Sequence, residues 1–266
     1  MDNYDFKYKI NYYFIILTAF VIPLYKPVIT ISLILLVLSS IINNNFKNKH
    51  PNKKTYNLLL CFFWLLYIIG TIYSNEKGNG FYNLEIKFSI LIVPLSFFIS
   101  KINFKSITTS ILKAFIEGCL ISIILSLISS CINYYYTQDS SIFFYKELSI
   151  FHHPSYFSMF LGFAITIVYY YSFNPNKKFY LNPYLSFILL FIFSTYIVLL
   201  SSRTGLMIML LTHLYFLFHW IIKKKYFIRG SIAFLIIITG CIVSYKSSSF
   251  TKNRINEIFN HDTTLN

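Results

Sequence analysis

"YLSFILLFIFSTYIVLLSSRTGLMIMLLTHLYFLFHWIIKKK", Tyr184 to Lys225, decides the fold. Two apolar runs, Tyr184 to Ser201 and Gly205 to Ile222, are parted by a short polar junction, and lysines close the second. Each run is long enough to carry a helix through a bilayer core, which takes roughly 17–25 residues. The junction holds one permanent cation, Arg203. A charge at the bilayer centre costs at least ~2.5–3.5 kcal/mol, so Arg203 belongs at a membrane surface or against a polar partner. Its position between the runs places it at the surface, beside the start of a helix.

The composition agrees with that reading. The 266 residues are 56% hydrophobic and 20% aromatic, and only 12% are charged, against ~25% charged in an ordinary soluble domain. The expectation is an all-α, polytopic integral membrane helix bundle with about nine segments. They run near Tyr12 to Tyr25, Val28 to Ile42, Tyr56 to Ser74, Phe88 to Ser100, Ala114 to Asn133, Pro154 to Phe173, Tyr184 to Ser201, Gly205 to Ile222 and Gly230 to Tyr245. The first two are short and separated by "PLYKP", either as two short crossings or as a re-entrant pair. The fourth is expected to start near Phe81, with Pro94 kinking it. The bundle thus occupies residues 1–245, and residues 246–266 form a polar tail. Strand alternation and fixed-period repeats are absent from the pattern.

The net charge of +14 does not indicate nucleic acid, because the lysines fall in short clusters between apolar runs. That spacing follows the rule by which Lys and Arg collect in cytoplasmic loops. With the N-terminus inside and nine crossings, Lys7, Lys9, Lys47, Lys49, Lys53 and Lys54 lie inside, as do the clusters near residues 101–113, 177–178 and 223–229. The outer side then holds Ser74 to Glu85, Tyr134 to His153, the Arg203 junction and the C-terminus. Of four cysteines, Cys119 and Cys131 lie on one helix about 18 Å apart at 1.5 Å per residue, too far to bridge. No metal-ligand spacing occurs, and neither a metal nor a cofactor is expected.

Several residues on the outer side have the chemistry of a site. A guanidinium beside a helix N-terminus offers paired donors to a phosphate or diphosphate, and Gly205 lets the backbone turn or a ligand approach. The competing reading of Arg203 is an interfacial cation whose stem snorkels. His152 and His153 precede Pro154, a favoured first-turn residue. Adjacent histidines diverge, so hydrogen bonds to sugar hydroxyls or a loop cap fit them better than zinc. His213 is expected to hydrogen-bond within the bundle, and Glu117 to pair with Lys113 one turn earlier. Arg254, in "KNRINEIF", is a second outer arginine.

"HPSYFSMFLGFA", His153 to Ala164, followed by "LLSSRTGLMIMLL", Leu199 to Leu211, resembles the O-antigen ligase and O-antigen polymerase superfamily. "FVIPLYKPVITISLILLVL" and "IIGTIYSNEKGNGFYNLEIKFSILIVPL" resemble its opening helices. The resemblance implies a multi-pass enzyme of the bacterial inner membrane, with its N-terminus cytoplasmic and its C-terminus periplasmic. Such enzymes take a glycan from an undecaprenyl-diphosphate carrier to a lipid A-core or other acceptor at the periplasmic face, without a cofactor. By matching position Arg203 would hold the donor's diphosphate, with Arg254 a second such arginine, and His152 and His153 would contact the glycan or the outer loop. A polymerase of the same superfamily, or a non-enzymatic glycolipid-binding or permease-type protein, stands as the alternative. The family's catalytic histidine lies in a long periplasmic loop that would begin where this chain ends. No residue here takes that role, His261 included, and the 266-residue chain is expected not to transfer glycan as it stands.

Overall fold

The computed structural model describes residues 2–43, 54–74, 77–100, 104–173 and 182–224, and among these every regular element is helical. The ninth expected segment, Gly230 to Tyr245, and the tail with Arg254 and His261 lie outside the described residues. The chain divides into two compact units, Met1–Ala114 and Phe115–Asn266.

In the first unit, α1 (Asp2–Val21) and α2 (Lys26–Ile42) form a helical pair. Proline sets the break between them. Pro23 disfavours helical backbone at Ile22 before it, and Pro27 occupies the first turn of α2, where a missing N–H costs nothing. The 20-residue α1 begins ten residues before its apolar part. The expected short first segment is therefore the second half of a longer helix.

α3 (Lys54–Tyr73) packs on α4 (Lys77–Ile86) and α5 (Ser89–Ile99), and α5 also contacts α2. The sequence places a kink at Pro94, whereas the helix breaks at Lys87 and Phe88. There the bonds from Ile90 N–H to Lys87 O and from Leu91 N–H to Phe88 O, both 3.0 Å, tighten the first turn of α5. Pro94 itself lies inside α5, where its ring crowds the carbonyl of Ile90, one turn past the break.

The small apolar core of this unit is Ile15, Leu36 and Ile107, the last from the start of α6 (Phe104–Thr137). Polar side chains do much of the joining. Fully buried Asn11 donates from Nδ2 to Ser100 Oγ at 3.2 Å and to Ser40 Oγ at 3.4 Å. Tyr12 donates to Ser110 Oγ at 3.1 Å.

α6 is longer than the expected Ala114 to Asn133: its 34 residues span about 51 Å at 1.5 Å per residue. After it come a 3-10 turn (Ser140–Phe143), α7 (Tyr145–Leu148), α8 (Pro154–Phe173), α9 (Pro183–Leu199) and α10 (Arg203–Lys224). α8, α9 and α10 pack pairwise around Phe157, Leu161, Ile165, Phe193 and Ile197, all almost wholly buried. His213 is satisfied inside this unit, as expected. It donates from Nδ1 to Met209 O at 2.7 Å, which leaves Nε2 to accept from Ser194 Oγ at 3.3 Å.

Among the described residues, three stretches are long and apolar enough to cross a membrane: Gly80–Phe97, Ser106–Thr137 and Pro154–Phe173. Lys26–Ile42, Phe62–Tyr73 and Tyr184–Leu199 are apolar but shorter.

Candidate functional site

Arg203 is the first residue of α10 and is exposed. Its position is built by local hydrogen bonding. Buried Ser202 caps the helix: its Oγ accepts from Gly205 N–H at 3.4 Å, and its carbonyl accepts from Leu206 N–H at 2.9 Å. A serine at this position satisfies donors that the first turn would otherwise leave unbonded. Ser201, just before it, is buried and left-handed, with φ of 47°.

Gly205 decides what lies beside Arg203. A Cβ on Gly205 would run into the Cβ and Oγ of Ser158 and approach Ile197 Cγ2 at 3.4 Å. The glycine is thus the point where α10 touches α8 backbone to side chain, with α9 alongside. Ser158 lies in the second turn of α8 and Gly205 in the first turn of α10. Two parallel helices therefore begin side by side, and the positive ends of their dipoles add at one place. The sequence reading has Gly205 letting the backbone turn or a ligand approach; it lies instead in the first turn of α10 and takes the Ser158 side chain of α8.

The histidines separate. His152 is buried, with its ring edge-on to Phe160 at 5.4 Å, and its carbonyl accepts from Ser149 Oγ at 2.6 Å. His153 is exposed and caps α8. Its Nδ1 accepts from Ser155 N–H at 3.3 Å, and its carbonyl accepts from Tyr156 and Phe157 N–H at 2.9 and 3.1 Å. Its ring stands between those of Tyr145 and Tyr156, each 6.2 Å away. Both histidines thus have structural employment at the start of α8, and only His153 presents its ring outward.

Residues 138–153 cover this end of the unit. Leu148 and Ile142 are buried, and Tyr196 of α9 donates to Leu148 O at 3.3 Å. Outside the cover, Tyr135 and Tyr136 at the end of α6 are almost fully exposed. Among the described residues, the left-handed non-glycine ones, Gln138, Tyr145 and Ser201, fall in this cover or in the α9–α10 junction. Each such conformation costs on the order of 1–3 kcal/mol and persists only where its surroundings impose it. Strain is gathered where Arg203 and His153 emerge.

Sequence reasoning did not find Ser158 or Tyr196. Ser158 had a readable signal, since Ser158 and Gly162 give the small-xxx-small spacing of a close helix contact. The role of Tyr196 depends on a partner 48 residues away and has no local signature. Arg254 cannot be placed with Arg203, because it lies outside the described residues. No family model matches the chain, and neither does any curated protein or solved structure.

Proposed function

We propose that this chain is a multi-pass membrane protein that binds a lipid-linked diphosphate glycan at the α8–α10 end of its second unit. In this reading it serves transfer of the glycan to a lipid A-core or other acceptor at the outer face of a bacterial inner membrane. The observation that carries the reading is the Gly205–Ser158 contact. It sets the positive ends of two helices together, with the guanidinium of Arg203 exposed on one of them. A diphosphate supplies the dispersed negative charge and multiple acceptor oxygens that such a place favours. The resemblance of "LLSSRTGLMIMLL" to the O-antigen ligase superfamily supports the choice of a carrier lipid over a soluble anion.

Support for the membrane comes from the outward faces. Ile31, Ile34 and Leu38 of α2, Phe187, Ile188 and Phe191 of α9, and Met207, Leu210 and Leu211 of α10 are all exposed. In water such faces would be a large aggregation liability; against lipid tails they are the expected surface. Exposed Tyr135 and Tyr136 match the aromatic belt of a headgroup region.

The test is binding of an undecaprenyl-diphosphate glycan to the purified chain in nanodiscs. Arg203→Ala is expected to weaken binding by at least about tenfold to hundredfold, the loss of paired charge-assisted hydrogen bonds. Arg203→Lys should recover little, because an ammonium lacks the planar fork. With helix content unchanged by circular dichroism, undiminished binding by Arg203→Ala overturns the assignment.

A further inference from the structure

A second cation lies within an apolar stretch, in the first unit, and it bears no relation to Arg203. Lys87 lies within Gly80–Phe97, at the break where polar α4 gives way to apolar α5, the kind of boundary that meets lipid headgroups. Its ammonium stands 4.1 Å from the ring centroid of Tyr67 on α3. An aromatic face offsets only part of what a cation loses on leaving water, so the ammonium still favours an anion.

One turn before Tyr67 on the same face of α3 is Trp64. Its ring lies 5.8 Å from that of Phe88, the residue after Lys87. The indole Nε1 of Trp64 is buried and has no hydrogen-bond partner. Two neighbours on α3 thus meet two consecutive residues of the break, bringing an ammonium and an unsatisfied indole N–H into one neighbourhood. Both groups are donors, and neither can satisfy the other. A buried donor without an acceptor is an exception that calls for an explanation.

Thr71 holds this arrangement together. Its hydroxyl lies 2.8 Å from Tyr67 O and 3.4 Å from Gly80 O, and a Cβ on Gly80 would meet Thr71 Cγ2 at 2.7 Å. Gly80 therefore allows α4 to lie close against α3, which carries the break toward Trp64 and Tyr67.

We infer that Lys87 and Trp64 form a binding site for the phosphate of an anionic membrane lipid. Tyr67 would hold the ammonium in place, and the indole N–H would donate the second hydrogen bond. The flanking surface favours a lipid over a free anion because it is apolar: Phe63, Leu66, Phe88 and Leu95 are exposed and suit acyl chains rather than water. Phosphate offers several acceptor oxygens, enough for both donors at once.

The test uses the full chain with Trp220→Phe, which leaves Trp64 as the sole tryptophan of the two. Its emission is followed in detergent micelles as phosphatidylglycerol, phosphatidylcholine or inorganic phosphate is added. A saturable response to phosphatidylglycerol is expected, with a much weaker one to the zwitterionic lipid and none to inorganic phosphate. Lys87→Gln should weaken apparent affinity by about tenfold, the loss of one charge-assisted bond, while Lys87→Arg should retain it. Native mass spectrometry of Trp64→Phe, which keeps the ring but loses the donor, should show reduced phosphatidylglycerol retention. Equal responses to both lipids, an equal response to inorganic phosphate, or unchanged affinity in a helical Lys87→Gln each overturns the proposal.

Discussion

The two units of the chain are closed by different means. Half of Pro154–Phe173 in the second unit is buried within the protein, against 18% of Gly80–Phe97 in the first. The second unit closes by close approach: Gly205 on Ser158 and Gly162 on Ile208, around a core of Phe157, Leu161, Ile165 and Phe193. The first has a thin apolar core and joins its helices through Asn11, Ser40, Ser100, Tyr12 and Ser110. In lipid the apolar driving force between helices is weak, because lipid tails are as apolar as leucine. Small-residue packing and interhelical hydrogen bonds are the two devices that remain. Each unit leans toward one of them, although Gly80 also meets Thr71 in the first and Ser194 and Ser172 also bond His213 and Ser186 in the second.

The largest expected effect tests the packing device. Gly205→Ala puts a methyl group into the Cβ of Ser158, and neither partner is the far end of a flexible chain. Overpacking of this kind costs about 1–3 kcal/mol. It should lower the unfolding midpoint in detergent and weaken diphosphate binding with it, since the two helix starts are pushed apart. Ser158→Gly on top of Gly205→Ala removes the atom that clashes and should recover more than half of the loss. If Gly205→Ala unfolds at the wild-type midpoint, the second unit is not held by this contact, and the comparison fails.

Asn11 tests the polar device, and the expected effect is smaller. Asn11→Leu removes both hydrogen bonds to serine, but it also removes a buried carbonyl oxygen, Oδ1, that has no partner. The two terms oppose each other, and hydrogen bonds between membrane helices average only ~0.6 kcal/mol. A net change under about 1 kcal/mol is expected by detergent or denaturant titration. Specificity should suffer more than stability: a cysteine pair linking α1 to α2 near Asn11 and Ser40 should crosslink less cleanly in the Asn11→Leu background. A loss as large as that of Gly205→Ala would show that the polar seam is a principal source of stability.

The sequence made helix positions legible because long apolar runs announce themselves by length alone. The seventh and eighth segments match α9 and α10 to within a few residues. Arg203 could be set at a helix start because one apolar run ends just before it and another begins just after it. What failed to show was whatever depends on a partner. The break at Lys87 and Phe88 has no proline or glycine at it, and Pro94, which the sequence does show, lies inside α5. α1 extends through polar residues whose apolar signal is absent. Asn11 meets Ser100 across 89 residues and Tyr196 meets Leu148 across 48, and no periodicity encodes such pairs. The divergence of His152 and His153 was legible from helix geometry, but the burial of His152 against Phe160 was not.

The smallest expected effect separates two anchors of the cover over the second unit. Leu148 and Ile142 are buried, and Tyr196 holds the Leu148 carbonyl. The other anchor, Asp139, is at the surface. It caps the Ser140–Phe143 turn, accepting from Ser141 N–H at 2.9 Å and from Ser141 Oγ at 2.7 Å. Those bonds, the backbone one foremost, hold the Asp139 carboxyl below the usual carboxylate value. A carboxyl lowered on folding contributes stability that is fully present above its unfolded pKa and fades as pH falls through the folded value. The contribution should therefore be intact at neutral pH and disappear only below the ordinary Asp range near ~3.9. Because Asp139 is fully exposed, the effect should stay local. Hydrogen exchange of Ser141, corrected for the intrinsic pH dependence, should quicken in that acid range, while amides near Leu148 stay protected. Asp139→Asn should show part of the same quickening already at neutral pH. Protection of Ser141 and Leu148 lost together would mean that the cover is one cooperative piece, and the distinction between a deep and a shallow anchor would fall.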